Sequence, residues 1–296
     1  MATWQHYILA QSIEDALLSL STPEGQARLI AGGTDLLLEI QQGRQAPVHT
    51  LVDITRIPEL QTLEIRGDEL FIGAGVPVRE ITDSPLIRHH AMAVSEACGL
   101  IGGPQVRNTA TLGGNVAHAL PAADGMISLF AFDAKVEIAS LEGRRLSPIK
   151  SLFAGPGKST LIANQELLVG FHLPILKTGQ ASAFSRVMRP QGVALPILNM
   201  AVWIERNKEK IEKIRIAIGP SGPVPVRATA VEEVLNGNEF TKAILSQAKL
   251  AIHDSIRFRT SAMRATGDYR HHLSEVLLEE VIGKAWQRAT DLEAVT

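Results

Sequence analysis

The chain has a single cysteine, Cys98, among 296 residues. One thiol excludes a disulfide framework, and it excludes any cysteine-ligated metal or iron–sulfur centre held by this sequence alone. Cys98 sits in the apolar helical run AMAVSEACGLIGG, where it reads as a small core hydrophobe. Long apolar runs are also missing: none approaches the roughly 20 residues of a membrane span. The opening Met-Ala-Thr-Trp-Gln-His-Tyr lacks a charged and then apolar leader pattern, so a cytoplasmic protein with no membrane partner is expected. There is no dense Lys/Arg block, and the formal net charge is −2, which disfavours nucleic acid as a partner. No Gly-rich run ends in a correctly spaced Gly-Lys-Ser/Thr, and G-x-G-x-x-G is absent, which argues against a phosphate-loop hydrolase and a nicotinamide-type Rossmann fold. Gly-Pro-Gly-Lys158-Ser-Thr has the wrong spacing, and Lys158 reads as an exposed turn lysine. No Ser/His/Asp set assembles. His89-His90 and His271-His272 are adjacent pairs whose rings should point apart on a helix, at the surface, so no metal site is expected.

Hydrophobic residues at 45% and charged residues at 20% describe a packed chain long enough for two domains. Within it stand two related turns, Ala31-Gly32-Gly33-Thr34-Asp35-Leu36 and Thr111-Leu-Gly113-Gly114-Asn115. Each joins two glycines to a hydroxyl residue beside regular structure. Glycine allows close backbone approach and positive φ, so successive N–H groups can converge on an anion, aided by a helix N-terminus. Two such turns, about eighty residues apart in the sequence, suit the pyrophosphate of a dinucleotide held between them.

In chain order, Ser12 caps a helix whose face carries Ile13, Ala16, Leu17 and Leu20. Arg28 to Ala31 is a short strand, Thr34 caps the next helix, and Gly43 ends it. Val48 to Ile54 is a strand, and Pro58 marks a boundary. A hairpin follows over 62–74, then a helix over 86–98, the second glycine turn, and a helix with Pro121 at N1. Strands are expected at 135–139 and 167–173, then at 193–204 and 211–218. Helices at 229–235, 241–251 and 273–286 close the chain. The last carries Leu273, Leu277, Val281 and Ala285 on one face.

With these residues in view, the sequence resembles the FAD-binding medium subunits of the molybdenum hydroxylases, the xanthine dehydrogenase and carbon monoxide dehydrogenase group. AGGTDLLLEI, GPQVRNTATLGGNVAHALPAADG, GPGKSTLIANQELLVGFHLP and RATGDYRHHLSEVL carry the resemblance across nearly the whole chain. It implies an α+β fold: a two-subdomain FAD-binding domain of the vanillyl-alcohol-oxidase (PCMH) type over 1–177, divided near 58. A C-terminal α+β domain over 178–296, with a three-stranded type of sheet and helices, would follow. It implies FAD held by Leu29, Ile30, Ala31, Gly32, Gly33, Thr34, Asp35 and Leu36, opposed by Thr111, Gly113, Gly114 and Asn115. Ile101 and Leu168 would be apolar cofactor contacts. Asp124 matches a flavin-contacting acid. Repulsion of roughly 1–4 kcal/mol from a pyrophosphate places it on FAD hydroxyl or N–H donors instead. Many relatives carry a lysine directly after the phenylalanine that is Phe184 here; this chain has Ser185, then Arg186, as the candidate cation. His118 and Arg107 read as a loop histidine and a structural cation.

The resemblance further implies partners: a large molybdopterin subunit, a small subunit with two 2Fe–2S clusters, and an acceptor such as NAD+. The flavin suits the junction because it is stable with zero, one or two added electrons. The alternatives are a stand-alone FAD oxidase or reductase, which needs acid–base residues that the C-terminal part does not show, and a flavin-free assembly protein.

Overall fold

The computed structural model describes residues 4–21, 27–45, 48–190, 195–262 and 264–295. The first sheet is parallel, with order β1 (His6–Leu9), β3 (Thr50–Asp53), β2 (Ala27–Ile30). Helix α1 (Ile13–Leu20) follows β1, and its Ser12 hydroxyl accepts the Asp15 N–H at 3.0 Å as expected of an N-cap. Ile13, Ala16, Leu17 and Leu20 are all buried. Helix α2 (Leu36–Gln41) follows β2 and ends before Gly43, whose φ of 68° is the left-handed turn of a helix stop. Strand β1 has no signal in the sequence, because its four residues are mostly exposed.

The second sheet is antiparallel. Its hairpin β4 (Leu63–Arg66) and β5 (Glu69–Gly73) leads into α3 (Val78–Asp83), α4 (Pro85–His90), α5 (Met92–Gly99), α6 (Pro104–Arg107), α7 (Leu112–Ala117) and α8 (Asp124–Ala131). The expected helix over 86–98 is thus two, broken at Ala91 by its extended φ of −147°. Strands β6 (Lys135–Ser140) and β7 (Gly143–Pro148), a ribbon of β8 (Phe153–Gly155) and β9 (Lys158–Ser159), and β10 (Leu167–Pro174) follow. The sheet order is β4-β5-β10-β6-β7, so the last strand inserts at the centre. Gly170 of β10 lies against Phe71 and the Ile72 carbonyl, which leaves no room there for a side chain.

The third sheet has four strands, one more than expected: β11 (Gln180–Met188), β12 (Pro196–Asn207), β13 (Lys210–Gly219) and the short β14 (Val226–Arg227). Residues 191–194, which include the start of the strand expected over 193–204, lie outside the described residues. Helices α9 (Thr229–Leu235), α10 (Lys242–Ser255) and α11 (Gly267–Val295) cover one face. The other face meets the preceding half of the chain: Phe184, Ala201, Trp203 and Ala217 join the core built on α5 and α8. A sheet covered on both faces shows no apolar/polar alternation, which is why β11 (QASAFSRVM) is silent in the sequence.

Leu278 of α11 is fully buried between this helix and the sheet. Leu278→Ala should cost about 2–5 kcal/mol, read as a lower urea midpoint with an unchanged denaturant slope.

Candidate functional site

A cleft of about 840 Å³ opens where the loop after β2, the 101–124 segment, the β8–β9 ribbon and the edge of the third sheet converge. That volume is at the upper end for small-molecule sites and admits an extended ligand. Every expected site residue except Gly113 and Leu168 lines it.

The first glycine turn forms one wall because its backbone presses on another backbone. A Cβ added at Gly32 would lie 2.0 Å from the Thr109 carbonyl oxygen, so only glycine fits. Gly33 follows with φ 65°, turning the chain into α2. None of the N–H groups of Gly32, Gly33 and Thr34 donates to a backbone carbonyl among the described residues. Unpaired amides at a helix entrance make an anion-binding concavity. Thr34 is not the cap of α2. Asp35 holds that position without a side-chain cap bond, which leaves the Thr34 hydroxyl uncommitted to the helix.

The second glycine pair differs from expectation. It is the first turn of α7, not a loop, with Thr111 as N-cap. The Gly113 N–H donates to the Ala74 carbonyl at 2.9 Å, and the Gly114 N–H to the Thr111 hydroxyl at 3.0 Å. These amides are spent on the fold. Gly113 is glycine because a Cβ would sit 2.5 Å from the Ala74 oxygen, and it does not reach the cleft. Thr111 accepts one bond and keeps its own O–H to donate. Asn115 lines the cleft, and its buried Oδ1 has no partner among the described residues. Leu168 is a buried core residue of β10 and does not line the cleft. Ile101 does line the cleft, and its carbonyl and that of Gly102 accept Arg107 Nη1 at 3.3 and 2.8 Å, so Arg107 is the structural cation expected.

Asp124 opens α8, three residues later than Pro121 led one to expect, because Ala123 is still extended. Its carboxylate is ion-paired with Arg186 and accepts Asn199 Nδ2 at 2.7 Å. Arg186 and Asn199 are directly opposite one another on β11 and β12. The paired side chains are only 7% and 5% exposed. Burial pushes the Asp124 carboxyl up to about 6, against the opposing pull of Arg186 and Asn199. Arg186 lines the cleft with a buried Nε that has no partner among the described residues, whereas the Ser185 hydroxyl donates to Glu280 of α11. Successive strand residues face opposite ways, so 186, not 185, brings the cation to the cleft.

His118 has a role that sequence reasoning missed. Its Nε2 is 3.1 Å from Glu39 Oε1 and its Nδ1 3.6 Å from Asp35 Oδ2, which ties the end of α7 to the start of α2. The Asp35 carboxylate beside it raises the imidazole's pKa, and the imidazole in turn lowers the carboxyl's. The only sequence signal was a histidine four residues beyond Gly114. Lys158 is exposed as expected, but it stands on the cleft rim. Cys98 is fully buried, its thiol pushed up by burial. The rings of His89 and His90 do not point apart: their centroids are 4.5 Å apart, edge to face, where α4 ends. No group of three His, Cys, Asp or Glu side chains is placed to hold a metal ion among the described residues.

Comparison with known proteins decides the family. Residues 2–176 match the model for the FAD binding domain in molybdopterin dehydrogenase, and residues 182–285 the CO dehydrogenase flavoprotein C-terminal domain. This chain belongs to the FAD-binding subunits of the molybdopterin dehydrogenases. It is 32% identical to the nicotine 6-hydroxylase medium subunit of Paenarthrobacter nicotinovorans, over 95% of this chain and 97% of that one. It is 30% identical to the carbon monoxide dehydrogenase medium chain of Hydrogenophaga pseudoflava, with the same coverage. The solved structure of carbon monoxide dehydrogenase from that organism superposes with a TM-score of 0.89 at 28% identity, covering 96% of this chain and 98% of that one. The cofactor of the family is FAD, and the cleft fits it: unpaired amides on one wall face partnerless buried groups of Asn115 and Arg186 on the others.

The His118 link has a defined pH window. His118 is raised from 6.5, so its contribution is complete below 6.5 and lost as pH rises through the folded value. Asp35 is lowered from 3.8, so its contribution is present above 3.8 and lost as pH falls through its folded value. The stability deficit of His118→Ala should therefore be largest in mildly acid solution and should shrink through the alkaline range, measured by urea titrations at a series of pH values.

Proposed function

We propose that this oxidoreductase subunit carries electrons between 2Fe–2S clusters of a small subunit and NAD+ or another acceptor. A large molybdopterin subunit would oxidise the substrate. FAD supplies the capacity to take electrons singly and release them in pairs. The chain itself would bind, orient and shield that group, and it would do so in the cytoplasm. Residues 1–177 would form the FAD-binding domain and 178–296 the C-terminal domain.

The observation that carries this reading is the single cleft wall of unspent amides at Gly32, Gly33 and Thr34. They would hold the diphosphate, with Leu29, Ile30, Ala31, Asp35 and Leu36 shaping the same wall. Thr111 would donate its hydroxyl, and Asn115 would accept through the Oδ1 that lacks a partner. Gly113 and Leu168 would act behind the surface, and Gly114, on the cleft wall, would fix the Thr111 hydroxyl through its N–H. Asp124 would work through Arg186: the carboxylate holds the guanidinium in place and offsets its charge in a dry setting. Ile101 would exclude water beside the cofactor.

The purified chain should show a flavin spectrum and release FAD on denaturation, and the intact complex should contain iron and molybdenum. A folded chain that is colourless and takes up no added FAD would sink the reading. Gly32→Ala, which forces a methyl into the Thr109 carbonyl, should weaken FAD retention at least tenfold, while Gly283→Ala in α11, where a methyl meets nothing, should not. Reduced complex mixed with NAD+ should regain the absorption of oxidised flavin. Failure there, with reoxidation by another acceptor, would remove NAD+ but not the cofactor.

A further inference from the structure

The motif RATGDYRHHLSEVL has no part in the cleft, yet it carries an electrostatic anomaly. Arg270, in the first turns of α11, is 2% exposed. Its Nη1 reaches the Pro220 carbonyl at 3.4 Å, and its Nε is buried without a partner among the described residues. Burial and the like charges of Arg264 and Arg259 lower its pKa, and no carboxylate among the described residues forms an ion pair with it. A desolvated cation without a counter-charge is strongly unfavourable. Exposed arginines need no explanation, but this one does.

Its surroundings deepen the anomaly. Residues 253–276 carry four arginines, at 257, 259, 264 and 270, against three acids, Asp254, Asp268 and Glu275. Arg257 and Arg259 are exposed and Arg264 half-buried, and none of the four has an ion-pair partner among the described residues. Beside them Tyr269 (47% exposed), His272 and Val276 (48%) form one stripe of α11 at spacings of three and four. Exposed tyrosine, arginine and aliphatic side chains together have the make-up of an interface centre, not of a solvated helix. The position is also telling. Pro220 follows Gly219, which pairs with Asn199, which pairs with the cleft residue Arg186. The cationic face and the cleft therefore occupy the same end of the third sheet.

We propose that Arg259, Arg264, Arg270, Tyr269 and Val276 form the seat for an acidic surface of another subunit of the complex, whose carboxylate supplies the counter-charge that Arg270 lacks. The proposal rests on the reading of this chain as an electron-carrying subunit. A broad surface of mixed cationic and apolar groups suits a protein better than a small anion, which would leave Tyr269 and Val276 wet. A partner seated here closes on the sheet end that bears Arg186, beside the cofactor cleft.

The test uses the complex isolated through a tag on this chain. Arg259→Glu with Arg264→Glu should cut co-purifying subunits at least tenfold while flavin per chain stays at the wild-type level, since neither residue lines the cleft. Arg259→Lys with Arg264→Lys should keep the complex and give zero-length carbodiimide crosslinks from 259 or 264 to Asp or Glu of another subunit. Wild-type subunit stoichiometry in the double-glutamate variant, or crosslinks confined to this chain, would overturn the proposal. So would inorganic phosphate that raises the melting temperature of the wild type but not of that variant while the subunits stay bound, which marks a small-anion site. A wild-type chain that carries flavin but isolates alone would refute the subunit reading itself.

Discussion

Two stretches of main chain touch at Gly32, and the cleft exists because they do. The Thr109 carbonyl stands where any other residue would carry its Cβ. This contact brings the turn after β2 of the first sheet against the segment between α6 and α7. The close approach holds the turn in a shape in which its amides face outward, away from any carbonyl of the protein. Unpaired donors held rigid are costly in water-free surroundings and useful only toward an anion. His118 braces the same junction from the other side, through Asp35 and Glu39. The wall is therefore set by packing and by charge together.

The two glycine pairs look alike in the sequence and serve opposite ends. One leaves its donors open. The other closes them, on Ala74 and on Thr111, so that α7 can start against β5 and present Asn115. A glycine's presence says that something comes close, but not whether that something is a ligand or the protein's own backbone. At Gly113 it is the Ala74 carbonyl.

Much of the fold was legible before any coordinates. Ser12, Gly43, the 62–74 hairpin and the apolar stripe of Leu273, Leu277, Val281 and Ala285 act as local chemistry predicts. What stayed hidden had no periodicity to show. Strand β1 is short and exposed, β11 is covered on both faces, and α3, α6 and α7 are four to six residues long. The site divided the same way. The turn at 31–36 was visible as composition. The Asp124, Arg186 and Asn199 cluster was not, because it joins residues up to 75 positions apart through a strand register that no short window contains.

That cluster spans the seam between the chain's two halves, since Asp124 belongs to α8 and its partners to β11 and β12. Prising the halves apart would strand a carboxylate on one side and a guanidinium on the other, just where the cleft has its floor. Occupancy of the cleft and cohesion of the seam are then two readings of one equilibrium: whatever loosens the joint loosens the ligand's grip, and a seated ligand clamps the joint in return.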